Sequence, residues 1–186
     1  MTLKTSQLFI ISCGLALQAF ILVLLNTFVK DLAGADAIWI AFQAWAVYFL
    51  AGCTLMGGVR ALIGYATGIA ASIAIIELMG VPGISSLPEV GGMNLVMATA
   101  VFIVVIPAIM SEKLKNMIPA LFIGSGAFFG MSQIPSIAGG KEGWDLYMAL
   151  TQVELVYCAY GLLFGFITVF WRGRYEAFLK SKASGE

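Results

Sequence analysis

Leu146–Trp171 reads LYMALTQVELVYCAYGLLFGFITVFW. It exceeds the roughly 20 apolar residues that carry a helix across about 30 Å of hydrocarbon. Its single Asp, Glu, Lys or Arg is Glu154. Tyr147, Thr151, Glu154, Cys158, Gly161 and Gly165 follow one another at spacings of four, three, four, three and four, which is one face of a helix. That face runs from polar to small. A lipid-facing helix would not carry it, so the spacing predicts that it faces other protein or a wet cavity.

Five further apolar stretches precede this one: approximately Leu8–Val29, Ala37–Met56, Val59–Met79, Met93–Met110 and Met117–Ser132. Helices are the element that satisfies its own backbone in lipid. The sequence therefore predicts an all-α, polytopic membrane protein with six transmembrane helices. It forms one domain over residues 1–171, followed by a short basic tail over 172–186. The fifth stretch is short and glycine-rich, and is expected to be tilted, broken or re-entrant if it does not cross fully. Composition agrees: 61% of residues are hydrophobic, 11% are charged and mean hydropathy is +0.98. A soluble domain is about half apolar and a quarter charged. Zero net charge gives no footprint for nucleic acid.

Six spans place Lys4, Arg60, Lys113, Lys115, Arg172, Arg174, Lys180 and Lys182 on one side and only Lys30 and Lys141 on the other. Basic residues mark the cytoplasmic side, so both termini are expected in the cytoplasm. Ala33-Gly34-Ala35 has the small-x-small look of a cleavage site, but the apolar run before it is longer than a signal-peptide core. A retained anchor is the expectation. Trp39 and Trp144 fall near the outer boundary and Trp171 near the inner one, as interfacial rings do. Trp45 lies mid-span and either packs in the bundle or lines a passage. Cys13, Cys53 and Cys158 all fall inside expected spans without a Cys-x-x-Cys pair, so buried free thiols are expected, with no metal and no cofactor.

Small residues recur at Gly64, Gly68 and Ser72, at Gly124, Gly126 and Gly130, and at Gly161 and Gly165. Two readings stand: close helix packing, within or between protomers, or room for a solute. Residues 60–70 also resemble residues 116–126 at an offset of 56, which suggests helices 2–3 repeating as helices 4–5 in the same orientation.

The absence of histidine removes the usual base for a nucleophilic serine or cysteine. Gly124-Ser125-Gly126 therefore does not read as an intramembrane protease, and no enzyme is expected. The intramembrane carboxylates remain. Glu77 ends its helix near the outer surface. Glu154 lies about 12 Å below the outer boundary at 1.5 Å per residue. An ionised group there costs several kcal/mol unless it is paired, hydrated or protonated. Gln18, Asn26, Gln43 and Gln152 are candidate partners, and no basic residue is available at that depth. Glu154 thus either stays protonated, because desolvation penalises the charged form, or faces water or a cation. Its role is a solute or proton site, or a satisfied structural hydrogen bond.

The residues Phe49-Leu50-Ala51-Gly52-Cys53, the basic turn at Arg60, and the run Pro119-Ala120-Leu121-Phe122-Ile123-Gly124-Ser125-Gly126-Ala127-Phe128-Phe129 resemble a family of small bacterial inner-membrane proteins, "domain of unknown function 1097". The resemblance spans roughly helices 2 to 6. It implies a compact multi-helix protein of the bacterial inner membrane, and it carries no assigned site residues.

The reading that follows is a channel or transporter for a small polar or cationic solute (an amine, ammonia, urea or similar). Glu154, Glu77, Thr151, Tyr147, Gln43, Trp45 and Gln18 are the candidate binding residues. Membrane lipid, the solute and further copies of the chain are the expected partners. The alternative is a non-transporting accessory subunit of a larger membrane complex, with the small-residue faces as protein interfaces.

Overall fold

The computed structural model describes residues 5–91, 94–111 and 117–184. Among them the chain folds into seven helices: α1 (Thr5–Ala33), α2 (Ile38–Leu50), α3 (Leu55–Met79), α4 (Leu95–Met110), α5 (Ile118–Ser132), the single turn α6 (Pro135–Ala138) and α7 (Gly143–Ser184). Of these, α1, α3 and α7 are long and apolar enough to cross a membrane, and α2, α4 and α5 are shorter apolar helices. Large apolar side chains such as Phe9, Phe28, Phe102 and Phe170 cover the exterior, which suits a lipid surface.

Local chemistry sets the helix ends. Gly34, at φ +86°, follows α1 and donates its N–H to the Lys30 carbonyl (2.8 Å). Gly52 and Cys53 take left-handed backbone angles, and the Thr54 hydroxyl accepts from the Gly57 N–H at 2.9 Å to cap α3. This turn cuts the expected Ala37–Met56 span, leaving Leu55 and Met56 to α3. Setting aside the single turn α6, the shortest helix is therefore α2, with 13 residues, and not the fifth apolar stretch, whose 15 residues form one unbroken helix. Asn94 caps α4 by accepting from the Met97 N–H at 2.9 Å. Pro107 sits in the last turn of α4, and Pro119 in the first turn of α5, where its missing N–H costs nothing. The basic tail continues α7, which runs for 42 residues, about 60 Å. The expected helix start at Met93 and the basic-side residues Lys4, Lys113 and Lys115 lie outside the described residues.

Successive long helices alternate in direction. At one end, the end of α2 meets the beginnings of α3 and α5 around a recess lined by Leu50, Arg60 and Pro119. The late turns of α7 meet Phe49 and Cys53 there through Arg172 and Glu176. At the opposite end, Gln152 early in α7 donates to the Leu32 carbonyl that closes α1 (3.0 Å). Arg60 and Arg172 thus share one end, with Lys30 at the other.

Each long helix α3 and α7 carries shorter neighbours. α5 lies along α3, and α2 lies along α7. Both beds are made by glycine. A side chain on Gly68 would overlap the Leu121 carbonyl, and one on Gly161 would overlap the Ala41 carbonyl. Gly165 makes room for the Tyr48 ring, and Gly14 for the Trp171 ring. Gly64 is buried as well. Gly126 and Gly130, expected on a packing or solute face, instead point outward; Gly126 has nothing within 4 Å of a Cβ position and Gly130 only Trp39 at 3.8 Å. The reason is that α5 turns Ala120, Gly124, Ala127 and Phe128 inward, which leaves the neighbouring glycines on the far face. The expected parallel repeat is not reproduced in the packing, since α2 lies along α7 whereas α4 packs on α3 and is largely exposed.

Substituting Gly68→Ala or Gly161→Ala should force backbone apart and lower stability by about 3 kcal/mol or more. Gly126→Ala should change it by no more than about 0.5 kcal/mol. Thermal unfolding in detergent reads the difference, and equal midpoints for the three variants would refute the crossing assignment.

Candidate functional site

The predicted face of the last helix turns inward. Tyr147, Glu154, Cys158, Gly161 and Gly165 are buried on α7, and Thr151 is partly so. Glu154 is 0% exposed. Its carboxyl lies against Gly124 of α5, where a Cβ would stand 3.1 Å from Oε1 and 3.0 Å from the Tyr65 Cα of α3. Glycine at 124 is what lets the carboxyl and the Tyr65 backbone come together. Tyr65 is also 0% exposed, and Cys158 lies one turn along α7 within electrostatic range of both.

Neither oxygen of Glu154 nor the Tyr65 hydroxyl has a hydrogen-bond partner, and these three are the unpartnered buried side-chain polar atoms among the described residues. Leaving such a group unmade costs about 1–3 kcal/mol, more for a charge. Buried polar groups are almost always satisfied, so each exception asks for a reason. Glu154 and Tyr65 lie within electrostatic range of one another, and together they offer two acceptor oxygens on the acid and a hydroxyl that donates or accepts.

The four amides expected to reach Glu154 do not. Gln18 lies beside the Thr168 hydroxyl, which accepts from Trp45 Nε1 at 2.9 Å; the hydroxyl's own proton has Gln18 Oε1 or the Phe164 carbonyl (2.8 Å) as acceptor. This tie joins α1, α2 and α7, and it shows Trp45 packed in the bundle at 7% exposure. Asn26 donates to Asp36 at 3.0 Å and accepts from the Tyr157 hydroxyl at 2.8 Å. Gln43 is exposed on the outer face of α2. Gln152 bonds α1 as described above. The helical period explains the misses: Gln43 and Gln152 lie about a quarter-turn or more away from the inward faces of their helices.

Glu77 and Tyr147 come near one another at the end of α3, where the Tyr147 ring also packs on Phe128 and Trp144. Glu77 is exposed, whereas Glu154 is buried. Of the three cysteines only Cys158 is buried; Cys13 and Cys53 are exposed free thiols, because α1 presents Cys13 outward and Cys53 sits in the α2–α3 turn. Tyr65 and Thr168 were not singled out by the sequence. A phenol set between Gly64 and Gly68 on an otherwise small face was the available signal for Tyr65.

A family model described as "Protein of unknown function (DUF1097)" matches residues 16–172, and the chain belongs to that family. No curated protein and no solved structure matches the chain.

Replacing the unpartnered acid by an apolar side chain of similar length removes a buried polar liability. Glu154→Met should therefore raise stability by about 1–3 kcal/mol, seen as a higher unfolding midpoint in detergent. A lowered midpoint would mean that the carboxyl is satisfied in the folded protein.

Proposed function

We propose that this member of the DUF1097 family is a transporter or channel for a small polar or cationic solute, with Glu154 as the group that binds the solute or its proton. The single observation that carries the reading is the fully buried, unpartnered carboxyl beside an unpartnered phenol. A membrane-embedded acid is tolerated where function requires it. A carboxylate without a basic neighbour selects cations, protonated amines, or neutral donors such as urea and ammonia over anions.

In this reading all six long helices cross the bilayer of the bacterial inner membrane, with both termini in the cytoplasm. The alternating directions support it, as does the clustering of Arg60, Arg172, Arg174, Lys180 and Lys182 at one end. A 13-residue helix spans only about 20 Å, so α2 needs its ends to be wet or the bilayer to thin locally. The open recess of about 350 Å³ beside Arg60, where α2 stops and α5 starts, is where water meets the short helices on the cytoplasmic side.

The test is flux in proteoliposomes, with radiolabelled methylammonium and urea as separate probes. The parent should exceed empty liposomes. Glu154→Gln should reduce flux about tenfold or more and flatten its dependence on pH, because a hydrogen bond to a charged group contributes about 1.5–3 kcal/mol. Unaltered flux in a folded Glu154→Gln protein removes Glu154 from the path, and no flux of either probe in the parent removes the transport reading.

A further inference from the structure

The helices fall into two sets of three. α7 gathers α2 and α1; α3 gathers α5 and α4. Exchanging α1 with α4, α2 with α5 and α3 with α7 carries each principal contact onto its counterpart: α2 along α7 becomes α5 along α3, and α1 against α7 becomes α4 against α3. The correspondence extends to the residues of the two short helices. Gly161 presses on the carbonyl of Ala41, the fourth residue of α2, and Gly68 presses on the carbonyl of Leu121, the fourth residue of α5. One turn further along the short helices, Trp45 bonds to Thr168, seven residues past Gly161 on α7, and Ser125 bonds to Ser72, four residues past Gly68 on α3, Oγ to Oγ at 2.7 Å. The chain is thus one three-helix motif used twice. On the six-crossing reading proposed above, three crossings per motif put the second copy upside down relative to the first, the inverted arrangement of many transporters, whose sites lie where the repeats meet.

The third helix of each copy leaves its own copy to join the other. The compact units are therefore α1–α2–α7 and α4–α5–α3, with a seam between them along α3 and α7. Hydrogen bonding divides along the same line. Inside the units the polar side chains are satisfied: Trp45–Thr168–Gln18 and Asn26–Tyr157 in one, Ser72–Ser125 in the other. The unpartnered atoms sit at the seam, Glu154 on α7 and Tyr65 on α3. Across the seam, Glu77 approaches Tyr147 at the rim.

We propose that Glu154 and Tyr65, one from each unit, form a binding site for a small ammonium-type cation, exposed alternately to the two faces as the units rock about the seam. This rests on the transport reading above. The carboxylate balances the charge and accepts one N–H, and the phenol oxygen accepts a second. Gly124, having no side chain, lets the carboxyl lie against Tyr65 in the closed packing, and the room for the cation comes from the rocking. Rocking is what gives the three orphaned atoms water or solute as partners. The satisfied bonds within each unit keep the units rigid while the seam opens.

Cys158 is a built-in reporter, buried one turn from Glu154, whereas Cys13 and Cys53 are exposed and are removed by Cys13→Ser and Cys53→Ser. The double variant is reconstituted in right-side-out and inside-out vesicles. It is then treated with a charged, membrane-impermeant methanethiosulfonate, and modification of Cys158 is read by mass, with and without saturating methylammonium. The proposal expects reaction from both faces, slowed about tenfold or more by methylammonium. It also expects Tyr65→Phe to raise the half-saturation concentration for methylammonium severalfold without changing Cys158 reactivity in the absence of solute. If methylammonium flux persists while Cys158 reacts from one face only or from neither, the alternating site is wrong and transport stands. If Cys158 reacts but neither methylammonium nor urea moves, transport itself is wrong and the site falls with it. Tyr65→Phe with unchanged half-saturation overturns the role given to Tyr65.

Discussion

Two helix crossings at backbone distance hold this protein together. Gly68 on the Leu121 carbonyl and Gly161 on the Ala41 carbonyl let α5 and α2 lie directly on α3 and α7. In lipid no hydrophobic drive pushes helices together, so close van der Waals packing has to do it, and only a residue without a side chain allows this approach. The short helices depend on these beds. With 13 and 15 residues, α2 and α5 are poorly suited to stand alone in a bilayer, and each is held along a neighbour of at least 25 residues.

The same economy of side chains makes the site. Gly124 removes the one side chain that would separate Glu154 from the Tyr65 backbone. The result is an acid and a phenol sealed in a packed core with nothing to bond to among the described residues, while Trp45, Thr168, Asn26 and Tyr157 elsewhere in the bundle are paired. A protein under selection for stability alone would fill such a place with apolar atoms. In the transporter proposed above, unpaired polarity at the boundary between the two helix units marks a site completed only when that boundary moves.

Much of this was legible in the residues. The Tyr147-to-Gly165 face is strictly helical in spacing and too polar for lipid, and it turned inward. The apolar runs gave the helices, although α2 stops six residues before the expected Met56 and α7 runs thirteen residues beyond the expected Trp171. Membership of the DUF1097 family agreed with the pattern of Phe49–Cys53 and Pro119–Phe129. The turn at Gly52–Thr54 was less legible, because Gly, Cys and Thr inside an apolar run read as small membrane residues; only a left-handed backbone and a hydroxyl cap reveal the break. Gly126 and Gly130 misled because spacing shows that residues share a face but not which way the face points.

The sequence by itself determined the solvent and the element: a chain this apolar must satisfy its backbone internally, and helices are the way these stretches can do so. It also determined that Glu154 is the group in need of explanation, since burying an acid is costly whatever surrounds it. Tertiary structure alone decided what surrounds it. Which helices cross, which amides are spent on Thr168, Asp36 and Leu32, and that Tyr65 rather than any glutamine stands opposite the acid all follow from contacts between residues far apart in the chain. Those contacts are fixed by the fit of whole helix surfaces, which no local spacing encodes.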